Sequence, residues 1–291
     1  MAAFFRAYRV TVGTVQIDAL GGVGVGGMRV AFSVERDHKR TANNCELAIW
    51  NLSKGSAQAL AKLDVVPVQI EAGYADDTGV IFLGDLRSAR TKRDGPDTVT
   101  RVSAGDGESK LRTARINRTF ARGTPVGDVL GQLGRALGVN PGNLTQFQGA
   151  RLANGLTTLQ RALTISGAVS DELERLTRSC GLDWSVQNGV LQLRDAGVGP
   201  VGTERGPLLR PDTGLLGEVE TERATETKDG VVKGQTIVSG RCLMRADLVP
   251  GKSLRVEAEA FTGNLVCRST THSGDSHSSD QWTVDWTGVP Y

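Results

Sequence analysis

Apolar and polar residues alternate in short runs along much of this chain, and the clearest run opens at Met28. Val30, Phe32 and Val34 share one side while Arg29, Ser33 and Glu35 take the other, the period of two of a half-buried strand. A polar loop runs from Asp37 to Asn44. A second alternation then places Cys45, Leu47 and Ile49 inward. Ser53 is positioned to cap a helix over residues 54–62, which the extended run VVPVQI stops.

The same reading extends to both sides. Residues 9–18 predict one or two short strands, and 65–74, 79–91 and 98–104 predict three more. Asp76 and Asp77 lie in the turn between two of these; adjacent turn aspartates project apart, so no paired acid is expected. Gly22 to Gly27 fits GxGxxG, but a strand follows where a dinucleotide site needs a helix, so a glycine-rich hairpin or loop is expected. About six strands and one helix predict an antiparallel β-barrel over 1–107.

The texture changes at Glu108. Val126, Val129, Leu130, Leu133 and Leu137 recur at helical spacing, with Thr124 as N-cap, Pro125 in the first turn and Gly138 as the stop. A second helix is predicted over 169–179, with Leu173 and Leu176 on one face and Ser170 or Asp171 at its start. Residues 184–193 read as a hairpin turning at Asn188-Gly189. Trp184 is expected in its core rather than as a sugar platform. These elements predict an α+β domain over 108–196. A Gly/Pro-rich crossing loop spans 195–217, and the acidic, Thr-rich 218–229 reads as an exposed hairpin or mobile loop. Strands at 236–244, 253–258, 265–271 and 282–287 predict a second barrel over 197–291. The expected fold class is mainly β: two antiparallel β-barrel domains flanking an α+β domain.

Composition narrows the function. Hydrophobic residues make up 39% of the 291, with no apolar run of about 18 that could span a membrane. The start of the chain does not read as a signal peptide. A formal charge of +2 argues against nucleic-acid-specific binding. Residues 108–200 carry 11 Lys/Arg against 7 Asp/Glu, and 201–291 carry 10 against 13. Such segments could guide docking, but solvated faces account for imbalances this small. Cys45, Cys180, Cys242 and Cys267 lack CxxC spacing, so reduced core cysteines are expected and a zinc site is not. Cys242 and Cys267 fall on strands predicted to be neighbours, which leaves a disulfide open.

The most suggestive chemical cluster is His272-Ser273-Gly274-Asp275-Ser276-His277. Two His and an Asp could ligate a metal, and His with Ser273 could mimic a nucleophile pair. The cluster reads as a Gly/Ser loop between strands, and His38 is the only other histidine, so a structural turn is expected. No G-x-S-x-G elbow, Walker motif or HExxH helix occurs. No catalytic, cofactor-binding or metal residue is assigned, no cofactor is expected, and the chain is read as a non-enzyme.

Several segments in order resemble the baseplate hub proteins of contractile-tailed bacteriophages, which are related to the hub part of type VI secretion spike proteins. They are Ala42 to Ser53, ending in Asn51-Leu52-Ser53; Glu71 to Tyr74 with Val80 to Asp85; Gly167 to Leu193; Thr213 to Gly217; and Leu248 to Gly251 with Gly263 to Pro290. Departures are Trp50 for the usual tyrosine, a shortened helix start after Ser53, and Leu265 for an aromatic. The resemblance implies that both barrels are tail-tube-like, and that the chain is a homotrimeric structural virion protein. Three copies would then join the hexameric tail tube, or a distal tail protein, to a trimeric central spike. It also implies baseplate wedge proteins and the tape measure protein as neighbours, and assembly in the host cytoplasm. With the sequence ending at Tyr291, the spike is expected to be a separate chain. The alternatives are a non-contractile tail-tip protein, and a cell-wall hydrolase or metal-dependent enzyme using the His272–His277 loop.

Overall fold

A computed structural model describes residues 5–19, 27–62, 66–75, 77–196, 199–202, 205–224, 234–278 and 281–291. In chain order the first elements are β1 (Arg6–Val12), β2 (Val15–Ala19), β3 (Val30–Asp37), β4 (Asn44–Trp50), α1 (Lys54–Ala61), β5 (Pro67–Tyr74), β6 (Asp77–Asp94) and β7 (Asp97–Gly105). The middle segment holds α2 (Glu108–Thr113), β8 (Arg115–Phe120), α3 (Val126–Leu137), β9 (Leu163–Ala168), α4 (Val169–Ser179), β10 (Leu182–Gln187) and β11 (Val190–Asp195). The last segment holds β12 (Leu208–Leu209), β13 (Leu215–Arg223), β14 (Thr236–Leu243), β15 (Ser253–Glu257), β16 (Thr262–Asp275) and β17 (Trp282–Pro290).

The alternation at Val30 is a strand whose inward side chains are buried, and Cys45, Leu47 and Ile49 of β4 meet them as predicted. Asn51 explains why the chain turns after Trp50. Its φ of 56° is the left-handed conformation that asparagine tolerates. There its N–H bonds Thr98 O at 2.7 Å, and its side chain bonds Asp97 Oδ1 and the Thr98 N–H. Leu52 is then buried, and Ser53 Oγ accepts from the Ser56 N–H at 3.1 Å, starting α1.

Thirteen strands from both ends of the sequence form one sheet, with main order β13-β14-β17-β16-β3-β4-β7-β6-β5-β1-β2 and with β12 and β15 attached beside β16. This corrects the expectation of two closed barrels. Among the described residues the ladder runs open from β13 to β2, because Ala31–Asp37 of β3 pairs with Ser269–Asp275 of β16. That join uses the edge of β3 that closing the first segment on itself would need. The apolar faces of both segments accordingly merge into one core, from Tyr8 and Val10 to Val284 and Trp286.

Within this sheet one strand order occurs twice. β3-β4-β7-β6 in the first segment is matched by β13-β14-β17-β16 in the last. The two long strands behave alike. β6 pairs β5 through Asp85 and then β7, with a bulge between Leu86 and Ser88. β16 pairs β15 through Val266 and then β17, with a bulge between Cys267 and Ser269. A bulge at each bend lets one strand turn from one set of partners to the next.

The middle segment has its own core, in which Val126, Val129, Leu130, Leu133 and Leu137 of α3 meet Leu173, Trp184 and Leu191. Each such side chain contributes about 1.5–3 kcal/mol on burial. Gly134 lets α3 approach closely; a Cβ there would lie 2.7 Å from Leu144 and 3.1 Å from Leu191. The predicted Thr124 cap is replaced by Pro125, while Thr124 Oγ1 bonds Ala121 O at 2.8 Å. Gly138 ends α3 at φ 77°, and α4 occupies residues 169–179 as predicted.

Candidate functional site

The side chains of the His272–His277 segment turn to separate partners. His272 is the core-facing side chain of a continuing β16, not of a loop, because Ser269–Asp275 stays paired with β3. Its Nε2 lies 3.1 Å from Arg245 O, which makes Nε2 the donor. Burial is the main cause that pulls its pKa down to about 3, Arg36 adds to it, and the ring is neutral at pH 7. His277 is exposed beyond the strand and interacts with Ser276 Oγ at 3.0 Å. Asp275 is engaged elsewhere: Arg29 donates to both of its oxygens at 3.2 and 2.7 Å while stacking 4.3 Å over Trp50. Burial alone would raise the Asp275 carboxyl, but hydrogen bonds from Arg29 and the His277 N–H outweigh it and hold the carboxyl below its usual value. Among the described residues no three His, Cys, Asp or Glu side chains form a metal-ligand group.

The cysteines are free. Cys45, Cys242 and Cys267 are buried, and burial pushes the Cys242 and Cys267 thiols up to about 12. Cys242 and Cys267 do not lie on neighbouring strands, since β17 runs between β14 and β16. Trp184 is in the second core as expected, with Nε1 donating to Glu174 Oε2 at 2.9 Å. Asp76 and most of the Gly22–Gly27 run lie outside the described residues, as do 225–229 of the predicted acidic loop. Of its described part, 218–224, all but Ala224 is in strand β13.

A buried polar joint, not foreseen from the sequence, ties the middle segment to the sheet. Asn188 and Gly189 make the predicted hairpin turn with φ of 52° and 72°. That turn points both of its N–H groups at Asp106, Asn188 at 2.6 Å and Gly189 at 2.9 Å. Asn43 Nδ2 reaches Asp106 Oδ2, Val186 O and Gln187 Oε1, each at 3.1 Å, and Arg36 Nε reaches Gln187 Oε1 at 3.3 Å. Burial pushes the Asp106 carboxyl up to about 6 against these hydrogen bonds and the charge of Arg36. Burial likewise lowers Arg36, and Asp106 opposes that. The only sequence signal was local: Asn188-Gly189 reads as a turn.

The sheet also has a face turned away from the first core. Its cross-strand rows are short and hydroxylic: Ser88, Ser103, Glu46, Ser33, Ser273 and Thr283 align across six strands. Ser269 and Thr287 lie 2.7 Å apart in another row that ends at Ser239 and Glu220. Near β13, where three residues bulge out between Leu216 and Glu220, a groove of about 770 Å³ opens beside Glu218, Arg241 and Asp285. Such a face binds water well and offers little apolar surface for adhesion. Its chemistry is that of a hydrated wall with hydrogen-bonding edges.

No family model matches the sequence, and no curated protein matches it. Similar solved structures exist. A 43 kDa tail protein of prophage MuSo2 from Shewanella oneidensis superposes with a TM-score of 0.61 at 10% identity, over 98% of this chain and 97% of that one. A tail protein from Neisseria meningitidis MC58 gives 0.60 at 12%, over 98% and 97%. A component of the Escherichia coli type VI secretion system, itself similar in structure to the T4 phage tail proteins gp27 and gp5, gives 0.57 at 11%, over 97% and 76%. Across nearly its whole length, the chain has the fold of phage tail proteins and of a related type VI secretion component.

Proposed function

We propose that this chain is a structural tail protein, acting as a trimeric baseplate hub between a hexameric tail tube and a trimeric central spike. The observation that carries the reading is the tandem repeat of one four-strand order across a single open sheet. Three copies would present six similar units to a sixfold tube while keeping threefold symmetry toward a spike. The reading divides the chain into tube-like units at 1–107 and 197–291 and a middle unit at 108–196, set apart by its own core. The partners are the tube or a distal tail protein on one side and the spike on the other, with baseplate wedge and tape measure proteins nearby, all in the virion tail.

Light scattering on the purified chain tests the oligomeric state. A trimer is the expected result, and a monomer at every protein concentration overturns the hub. Zinc content and peptidoglycan turnover test the competing enzyme reading. Neither is expected to change when His272 and His277 are both replaced by Asn; activity lost in that variant would favour the hydrolase.

A further inference from the structure

A cavity of about 300 Å³ lies between the middle segment and the sheet, walled by the β3–β4 loop, α4, β10, β11 and β16. Two of its arginines have more donors than acceptors. Arg194 of β11 is 3% exposed; its Nη2 donates to Asp183 Oδ2 at 2.9 Å, while its Nε and Nη1 are buried with no partner. Arg268 of β16 also has a buried Nε with no partner, and it forms no ion pair among the described residues. His38 is buried in the same wall with its Nε2 unpartnered. Buried polar groups left without partners are uncommon and costly, and a cluster of guanidinium donors in a cavity calls for an acceptor. We propose that this cavity binds a small oxyanion of the phosphate class, held between Arg194 and Arg268. Its walls all come from one copy of the chain, so the site goes beyond the hub reading and does not depend on it.

The two strand repeats supply an internal comparison. Each long strand carries an arginine as the extra residue of its bulge, Arg87 between Leu86 and Ser88 on β6 and Arg268 between Cys267 and Ser269 on β16. A bulge re-aims the side chain it carries. Arg87 meets Glu108, the first residue of α2, and also donates to Asn44 Oδ1. Arg268 meets the middle segment at Arg194 instead. Where one bulge arginine has a carboxylate, the other has the cavity.

The charge of the walls fits an anion. Lys39, Arg40 and Arg178 line the exposed side of the cavity, which gives five cations against the two carboxylates of Glu174 and Asp183. Both oxygens of Glu174 are taken, one by Arg178 and one by Trp184 Nε1. Among the lining residues Asp183 is then the one carboxylate left for two guanidiniums. Burial, with the charge of Arg194, lowers Arg268 to about 10, and burial with both arginines lowers His38 to about 3. A phosphate group presents three or four oxygens where a carboxylate presents two, so it can accept from both guanidiniums at once. The cavity also leaves room for a small organic group on that phosphate.

Isothermal titration calorimetry of the full chain tests the site at neutral pH and constant ionic strength, with inorganic phosphate and with glycerol phosphate as probes. Tighter binding of the first identifies a free ion, and tighter binding of the second an ester. Arg268→Gln removes one guanidinium and leaves no partner unsatisfied. Arg194→Lys keeps a charge beside Asp183 and removes the unpartnered donors. Each variant is expected to raise the dissociation constant of the bound probe at least about tenfold, as loss of a charged hydrogen bond should. The probe should also raise the melting temperature of the wild type and not that of Arg268→Gln, whose own cooperative transition shows that it folds. Binding of neither probe by the wild type, or equal binding by wild type and Arg268→Gln, overturns the site. Binding of a single-stranded oligonucleotide but of neither small phosphate overturns it in favour of a nucleic-acid surface.

Discussion

Replacing Asp106 with Asn probes the buried joint through its pH dependence. Asp106 is about 1% exposed, and burial is the main cause that raises its carboxyl from 3.8 to about 6. The folded chain therefore holds this proton more tightly than the unfolded chain. Stability from the group is fullest below 3.8 and is lost as the pH rises through 6. At about 1.4 kcal/mol per pH unit, the effect between pH 4 and 7.5 comes to about 2 kcal/mol. Asn does not titrate, and its NH₂ set against backbone N–H donors costs about 1–3 kcal/mol at every pH. The assay is urea unfolding followed by tryptophan fluorescence, with Trp184 in one core and Trp282 and Trp286 in the other. The stability of wild type minus variant is expected to shrink by about 2 kcal/mol from pH 4 to 7.5. A difference that stays flat or grows with pH would refute the claim that this carboxylate is ionised at a cost.

His272→Gln should flatten the acid limb of the stability curve. A histidine held at about 3 when folded gives stability present above 6.5 and lost as pH falls toward 3, on the order of 5 kcal/mol in full, which urea unfolding from pH 4 to 7 would follow. His38, also lowered to about 3 by burial and by Arg194 and Arg268, should leave part of that limb in the variant. Asn43→Ala removes the acceptor for the Asp37 N–H and a donor shared by Asp106, Val186 and Gln187, so a loss of about 2–4 kcal/mol is expected in the same assay. Thiol titration with an aromatic disulfide should modify Cys180 slowly in the native chain and all four cysteines in denaturant; rapid native reaction of Cys45, Cys242 or Cys267 would contradict their burial.

Much of the fold was legible because short-range chemistry specifies it. The alternation at Val30–Val34 and Cys45–Ile49, the Ser53 cap, the α3 stripe and the Asn188-Gly189 turn each need only neighbours in sequence. Errors appeared where a distant strand decides. β16 was predicted to stop at Thr271 because Gly274 and flanking serines resemble a loop. Pairing with β3 keeps it extended to Asp275, and Gly274 gives room to the Phe32 ring, which a Cβ would approach to 2.4 Å. Residues 218–229 read as an exposed hairpin or a mobile loop because Glu and Thr dominate them, and of these alternatives the described part takes the hairpin. It is a strand because one edge pairs β14, and Val219 alone among residues 217–223 is buried.

The open architecture follows from the same gap. A barrel prediction assumes that a segment's own edges meet, and alternation is equally consistent with edges that meet another segment. Here Glu35 and Asp37 of β3 face Thr271 and Ser269 across the internal join, acid against hydroxyl. The internal join is held by one continuous chain and one shared core, so it needs no charge to select its partner.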